Sequence, residues 1–278
     1  MQLHWIQRYP TIDYSDYFLD LGHRYSAQMN LTSRLSQSKF VLILCLNCLF
    51  ITSLAQTKHA ADTLDTFDIK DGIFYLPQTL PKGKYLHALA IYYVVVPKVW
   101  ALDNVNAPML NYLGKYALTP EINLQGGIST LFVSNRINLG PFWNHSIGDF
   151  HVGIGYQVAF NYGILRNFGF NTVLTGWEQQ PSIAVGYSFA KSAITLRGDL
   201  YYTSSLNVSE AGNVIKYNNV GFNGYSITPT LEQRLWKKRV MSFGVKLNYV
   251  RYHILAWPAF PVNRYRYVVP EFQIGLRF

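Results

Sequence analysis

The last seven residues of the chain, 272–278, alternate strictly between apolar and polar side chains and end on a phenylalanine. A period of two places every second side chain on the same face of a β-strand. The apolar face consists of Phe272, Ile274, Leu276 and Phe278. The polar face consists of Gln273, Gly275 and Arg277. A strand with these two faces is typical of a wall between lipid and a polar lumen.

The same alternation recurs along the chain and defines ten strand-like segments. They are residues 84–96, 109–117, 121–131, 136–144, 150–162, 180–189, 193–205, 224–236, 240–255 and 267–278. Apart from a short link at residues 131–136 in a long-loop position, short connections alternate with long ones, as expected when turns face the periplasm and loops face outside. The sequence therefore predicts an all-β fold, an antiparallel up-and-down transmembrane β-barrel of ten strands, with eight to twelve compatible with the pattern. The first segment departs from it, since residues 89–96 have no clear polar face.

A secretory signal peptide precedes the barrel at residues 29–55. Its apolar core, residues 40–51, is too short to span a bilayer as a helix, which needs about 20 residues. Small residues precede a predicted cleavage after Ala55. Both cysteines, Cys45 and Cys48, lie in this leader, so we expect no disulfide, thiol chemistry or cysteine metal site in the exported chain.

The remaining N-terminal sequence is divided into two parts. We interpret residues 1–28 as an upstream extension from a misplaced start codon, because residue 29 opens a signal peptide of ordinary proportions; the alternative is a single, unusually long leader. Residues 56–83 precede the first strand and could be a periplasmic tail, a plug inside the lumen or an irregular extra strand. The sequence leaves these three readings open. Residues 84–278 form the predicted barrel domain.

Charged residues on the inward faces of the strands are the best candidates for function. The predicted lumen-lining residues are Arg197, Asp199, Glu232, Arg234, Lys246, Glu271 and Arg277. One interpretation makes them the selectivity filter or polar ligand site of a narrow channel. The alternative is a salt-bridge network that fills the lumen, because a ten-stranded barrel is only slightly wider than one that side chains can fill, and buried charges must be paired.

No catalytic residue, cofactor or metal site is predicted. A lipid-modifying barrel enzyme would need a Ser or Asp beside a His near the outer rim, and no motif in the sequence assigns such a group. The chain contains no His-Glu-x-x-His run and no Gly-x-Ser-x-Gly elbow. The sequence therefore favours a protein that is not an enzyme.

The positive charge of the chain points to lipid. The formal net charge is +9, and an exported protein rarely meets nucleic acid, so lipid phosphates are the expected counter-charge. Arg264 and Arg266 lie at the predicted outer rim, where they are expected to contact phosphates of lipopolysaccharide. Tyr and Trp, which favour membrane interfaces, are abundant, with 21 and 6 copies.

The leader ending Ser-Leu-Ala before Gln56, the Tyr-rich alternating strands and the terminal Phe278 together resemble Bacteroidota-type outer-membrane β-barrel proteins. The aromatic end of the last strand resembles the assembly signal of bacterial outer-membrane barrels. This resemblance covers residues 56–278 and carries no catalytic residue. It implies a bacterial outer membrane, with lipid, lipopolysaccharide, the barrel assembly machinery and an envelope protein as partners.

Three functions follow, in order of preference. The first is a non-enzymatic narrow channel, or a barrel that binds small molecules or envelope partners. The second is a structural or assembly component of an outer-membrane complex. The third is a lipid-modifying barrel enzyme.

Overall fold

The computed structural model describes residues 73–98, 106–131, 133–166, 171–210, 213–215, 220–235, 239–253 and 265–278. The predicted upstream extension, the signal peptide, residues 56–72 and Arg264 lie outside these ranges. Among the described residues, no helix is long and apolar enough to cross a membrane.

One sheet of eleven strands contains all the regular structure of the described ranges. The strands are β1 Tyr85–Val95, β2 Asn106–Ala117, β3 Ile122–Thr130, β4 Ser134–Ile147, β5 Phe150–Leu165, β6 Thr172–Ser188, β7 Ser192–Glu210, β8 Asn213–Ile215, β9 Gly221–Arg234, β10 Val240–Val250 and β11 Tyr267–Arg277.

Ten of these strands close into an antiparallel barrel. Neighbours in sequence pair with each other from β1 to β7, β7 pairs with β9, and β9 to β11 follow in order. The ring closes where β11 pairs with β1, from Ala88 opposite Arg277 to Val94 opposite Glu271. The short strand β8 pairs with the end of β7 and lies outside the ring. The predicted all-β, up-and-down barrel of ten strands is confirmed.

The two ends of the barrel differ in their connections. Residues 118–121, 148–149 and 189–191 make short turns at one end, here called the turn end. The opposite end, here called the loop end, carries the connection between β5 and β6 and the longer one between β10 and β11. The last strand finishes at the turn end, where the Phe278 ring packs edge-on against His87 at 4.9 Å between ring centres.

Side chains alternate between a packed interior and an apolar exterior. In β5, Ile154 and Tyr156 on the outside are 59% and 43% exposed, whereas Gln157 and Asn161 on the inside are buried. Large apolar side chains are exposed on this outer surface in every one of the ten barrel strands. Such a continuous apolar belt is stable against lipid, and closure leaves no unpaired strand edge within it. The fold is therefore of the outer-membrane type.

The missing polar face of β1 has a packing explanation. Its inward residues Leu86 and Ala88 are buried and form an apolar cluster with Phe74 and Leu80, which precede the strand. Farther along, Val94 joins a second apolar cluster at the loop end. The inner face of β1 is mostly apolar because its two ends contact these clusters, and its one inward tyrosine, Tyr92, lines the lumen between them.

The boundaries of several strands differ from the prediction, and β10 ends at Val250 rather than at residue 255. Strand β6 begins at Thr172 rather than at residue 180, and β7 continues to Glu210 rather than ending at 205. These extensions pair with each other, from Thr172 opposite Glu210 to Trp177 opposite Ser205, with a register shift after Trp177. Polar residues lie on both faces of the β6 extension, so hydrophobic alternation gives no signal there, and the pairing itself defines the strand.

We predict that Gly155→Ala destabilises the barrel by about 1–3 kcal/mol. Gly155 points inward, and a Cβ there would overlap the buried ring of Phe142. The matched control is Gly198→Ala, because a Cβ at Gly198 meets its nearest neighbour, Ile183, at 3.6 Å. The urea midpoint of unfolding, followed by heat-modifiable gel mobility, measures both. Equal midpoints for the two variants would show that a Cβ at Gly155 can be accommodated beside the Phe142 ring without loss of stability.

Candidate functional site in the barrel lumen

A polar cavity of about 160 Å³ lies inside the barrel and is the candidate functional site. Of the predicted lumen-lining residues, the structure brings Arg197, Asp199, Lys246 and Glu271 to its wall. All four lie on the inward faces of β7, β10 and β11, as the alternation of those strands predicts. Glu232, Arg234 and Arg277 also lie on inward positions but nearer the turn end, and they are not part of the cavity wall.

Arg197 and Asp199 form an ion pair within a hydrogen-bonded network. The guanidinium Nε donates to the Asp199 carboxylate at 2.7 Å, and the Ser182 hydroxyl donates to the same oxygen at 2.6 Å. Arg197 also donates to the amide oxygen of Gln157 at 3.3 Å. The other Asp199 oxygen accepts from Ser226 at 3.2 Å. A carboxylate that is almost fully buried is thereby satisfied on both oxygens, as buried charges require.

A second buried ion pair joins Arg136 to Glu178. The guanidinium donates to Glu178 at 2.6 Å and to the Gln180 amide oxygen at 3.0 Å. The Asn223 amide donates to the other Glu178 oxygen at 3.2 Å. Sequence reasoning missed this pair. Arg136 shows the same inward alternation as the predicted residues, whereas Glu178 lies in the extension of β6 that was predicted to be loop.

Glu271 and Lys246 occupy the third side of the cavity and face each other across β10 and β11. One Glu271 oxygen accepts from the Asn248 amide at 2.7 Å and lies 2.7 Å from His253 Nε2. The Lys246 ammonium lies 5.4 Å from the centre of the Tyr201 ring. Stacking of a cation on an aromatic face partly replaces the solvation that the ammonium loses inside the barrel.

Glu232 has a different role from the one predicted. Its carboxylate accepts three consecutive backbone N–H groups, from Phe74 at 2.7 Å, Tyr75 at 2.9 Å and Leu76 at 3.2 Å. These N–H groups belong to residues 73–80, here called the floor segment, which lies in the lumen at the turn end. Charge-assisted bonds to backbone N–H groups are among the strongest in proteins, so Glu232 anchors this segment.

The floor segment touches strands around most of the ring. Leu76 accepts a hydrogen bond at 3.2 Å from the buried ammonium of Lys115 on β2, four strands along the ring from Glu232 on β9. The Pro77 Cβ lies 2.7 Å from where a Gly153 Cβ would be, and the Thr79 N–H donates to Ser146 at 3.1 Å. The described part of residues 56–83 therefore lies across the bore at the turn end. Hydrogen bonds with side chains of the barrel hold it there, and it is not paired as a strand.

A buried apolar cluster lies at the other end of the cavity. Its members come from the loop-end halves of six strands and their adjoining residues: Val94, Val96, Met109, Leu174, Tyr201, Leu206, Val208, Val250, Tyr252 and Val269. We call it the loop-end cluster. Four of its members, Met109, Tyr201, Val250 and Tyr252, also line the cavity. The polar cavity thus lies between the floor segment and an apolar roof.

The predicted rim arginine Arg266 contacts the protein's own backbone. Its guanidinium donates to the carbonyl oxygen of Asn223 at 3.1 Å and to that of Phe222 at 3.0 Å, and it lies 4.9 Å from the Phe222 ring centre. Arg251 donates to the same Phe222 carbonyl. These contacts fix the rim where β9 begins and leave the expected lipopolysaccharide contact as a prediction. Within the described residues, no three His, Cys, Asp or Glu side chains form a group that could hold a metal ion.

Comparison with known proteins finds likenesses among solved structures alone, since no protein-family model and no curated protein matches the chain. Neisserial surface protein A is 15% identical over 69% of this chain and 94% of its own, with a TM-score of 0.31. The KdgM porin is 10% identical over 69% and 98%, with a TM-score of 0.33. The translocator domain of autotransporter NalP from Neisseria meningitidis is 15% identical over 70% and 88%, with a TM-score of 0.38. The fold assignment rests on the strand pairing and the apolar exterior of the barrel itself.

We predict that Arg197→Met lowers the free energy of unfolding by about 3–5 kcal/mol, because it leaves the Asp199 carboxylate buried without its ion-pair partner. Replacing both residues, as Arg197→Met with Asp199→Leu, is expected to recover most of that loss. Urea unfolding of the purified barrel measures both variants.

The control for this prediction is an exposed ion pair at the turn end. Glu121 lies 3.3 Å from His145 Nδ1, and their side chains are 50% and 45% exposed. Glu121→Gln should cost about 1 kcal/mol or less, because water screens such a pair. If Arg197→Met cost no more than Glu121→Gln, the luminal network would be solvated like the surface.

Proposed function

We propose that this protein is a non-enzymatic bacterial outer-membrane barrel that acts as a narrow channel, closed in the state described by its own floor segment. The observation that carries the proposal is the attachment of that segment to Glu232. Three hydrogen bonds to this carboxylate are the largest group of polar contacts that hold the segment in the bore, beside the bonds to Lys115 and Ser146, and the segment is not paired as a strand. A segment held in this way can leave without breaking the barrel wall.

The lumen above the floor supports a path for solute rather than a solid core. A cavity of about 160 Å³ remains between the ion pairs, and polar side chains from every part of the ring line it. The loop-end cluster narrows the lumen with apolar side chains, and apolar constrictions of this kind gate pores by excluding water. The arrangement is that of a polar compartment with a closure at each end.

The orientation follows from the connections. Short turns face the periplasm and longer loops face outside in bacterial barrels. The floor segment then closes the periplasmic mouth, and Arg266 at the loop end faces the outer leaflet, where lipopolysaccharide phosphates are its expected partners. The apolar face of Phe272, Ile274, Leu276 and Phe278 looks outward at the closing seam, which suits recognition by the barrel assembly machinery.

We predict that Glu232→Gln raises channel opening roughly tenfold or more in planar lipid bilayers. A neutral amide loses the charge-assisted bonds, each of which contributes about 1.5–3 kcal/mol, so the floor segment should detach more often. The unaltered barrel is expected to be silent or to open rarely. Glu121→Gln, which removes a carboxylate from the same end of the barrel, is the control and should leave opening unchanged.

A cross-link separates release of the floor from general loosening of the barrel. Thr79→Cys with Ser146→Cys replaces two hydroxyl groups whose oxygen atoms are 3.4 Å apart, so a small shift brings the two sulfur atoms to bonding distance. In the Glu232→Gln background, the oxidised protein should be silent and the reduced protein should conduct. A folded Glu232→Gln barrel that stays silent in both states would overturn the channel and favour a structural or assembly component instead.

A further inference from the structure

Two buried charges of the barrel bind the backbone of the floor segment rather than its side chains. Glu232 on β9 accepts the N–H groups of residues 74–76, and Lys115 on β2 donates to the carbonyl oxygen of Leu76. Glu232 and Lys115 are each only 1% exposed. Every residue except proline carries both a backbone N–H and a C=O group. An anion and a cation on different strands therefore form a clamp that fits a peptide backbone.

Two apolar side chains of the segment fill a socket in the wall beside this clamp. Ile73 and Leu76 are both fully buried and pack with Ala193 of β7. Leu76 also occupies the space over Gly186 of β6, where a Cβ would overlap its side chain. The wall thus leaves room at this point for a leucine of the segment.

A second socket lies on the other side of the segment. Phe74 and Leu80 are buried there, and the Phe74 ring centre lies 5.4 Å from the Lys115 ammonium. The wall of this socket consists of Leu86, Ala88 and Ala117. The barrel therefore holds alternate apolar side chains of the segment in separate sockets and holds its backbone between them.

The segment itself has the fixed shape of a ligand. The Gln78 N–H donates to the carbonyl oxygen of Leu76 at 2.9 Å, which closes a tight turn around Pro77. The proline ring restricts the backbone at this position and favours such a turn. A ligand that is already ordered loses less conformational entropy when it binds.

We propose that the turn end of the bore is a peptide-binding site and that the floor segment is its tethered ligand. The site takes a short apolar peptide with three consecutive backbone N–H groups directly before a proline, as in residues 73–80. Such a peptide binds without a covalent link to β1. This inference goes beyond the proposed channel, because binding of a peptide does not require that the barrel conduct.

The test cuts the tether after the whole chain has folded. Pro81, Lys82 and Gly83 are exposed and precede β1, so the recognition sequence of a site-specific protease can be inserted between Lys82 and Gly83. After cleavage, gel mobility without heating verifies that the barrel is still folded. Binding of a fluorescein-labelled synthetic peptide of residues 73–80 is then measured by fluorescence anisotropy.

We expect the labelled peptide to bind the cut barrel at least tenfold more tightly than the uncut protein. In the uncut protein the tethered segment is present at a high effective concentration and keeps the site filled. Glu232→Gln in the cut barrel should weaken binding at least tenfold, because charge-assisted hydrogen bonds to the peptide are lost. Glu121→Gln, an exposed carboxylate at the same end, is the control and should leave binding unchanged.

Variants of the peptide test the site without changing the fold of the barrel. N-methylation at Tyr75 removes one N–H that Glu232 accepts, and Leu76→Ala empties a socket, so each should weaken binding at least tenfold. Thr79→Ala is the matched control. The Thr79 side chain is exposed, so this change should alter binding by less than about threefold.

The outcomes separate this site from the channel. If the labelled peptide binds the cut barrel no more tightly than the uncut protein, or if Leu76→Ala and Thr79→Ala peptides bind equally well, the peptide site is wrong, whatever the current in bilayers. If the peptide binds as expected while folded Glu232→Gln barrels carry no current, the channel is wrong and the peptide site stands.

Discussion

Pairing of the first strand with the last is the constraint on which the rest of this structure depends. A membrane offers no water to hydrogen-bond an exposed strand edge, so the seam between β1 and β11 must close. Closure with ten strands fixes a narrow bore. Every inward side chain then competes for that space, which is why an inward glycine, Gly155, lies directly beside the ring of Phe142.

The narrow bore determines how charged side chains are stabilised inside it. Arginines and carboxylates that face the lumen lose most of their water, and that loss is offset only by close, well-directed partners. The pairs of Arg197 with Asp199 and of Arg136 with Glu178 satisfy this requirement. Glu232 satisfies it differently, because its carboxylate accepts hydrogen bonds from backbone N–H groups of the floor segment. The same bonds compensate the buried charge and hold the floor segment in place.

The sequence predicts the features that repeat with a period of two and misses those that depend on distant contacts. Alternation identified the ten barrel strands and the inward positions of Arg197, Asp199, Lys246 and Glu271. The partner of Glu232 could not be predicted, because Phe74 lies 158 positions away and its segment has no periodicity. The apolar inner face of β1 was the available signal for that contact, since a strand without a polar face indicates that something apolar covers it.

A luminal salt-bridge network and a channel were alternatives in the sequence, and the structure shows why they are compatible. Ion pairs lie around the cavity, but they line its wall without filling it. A wall of this kind presents many hydrogen-bond donors and acceptors to the cavity. Whether such a lumen conducts then depends on its two ends, where the floor segment and the loop-end cluster lie.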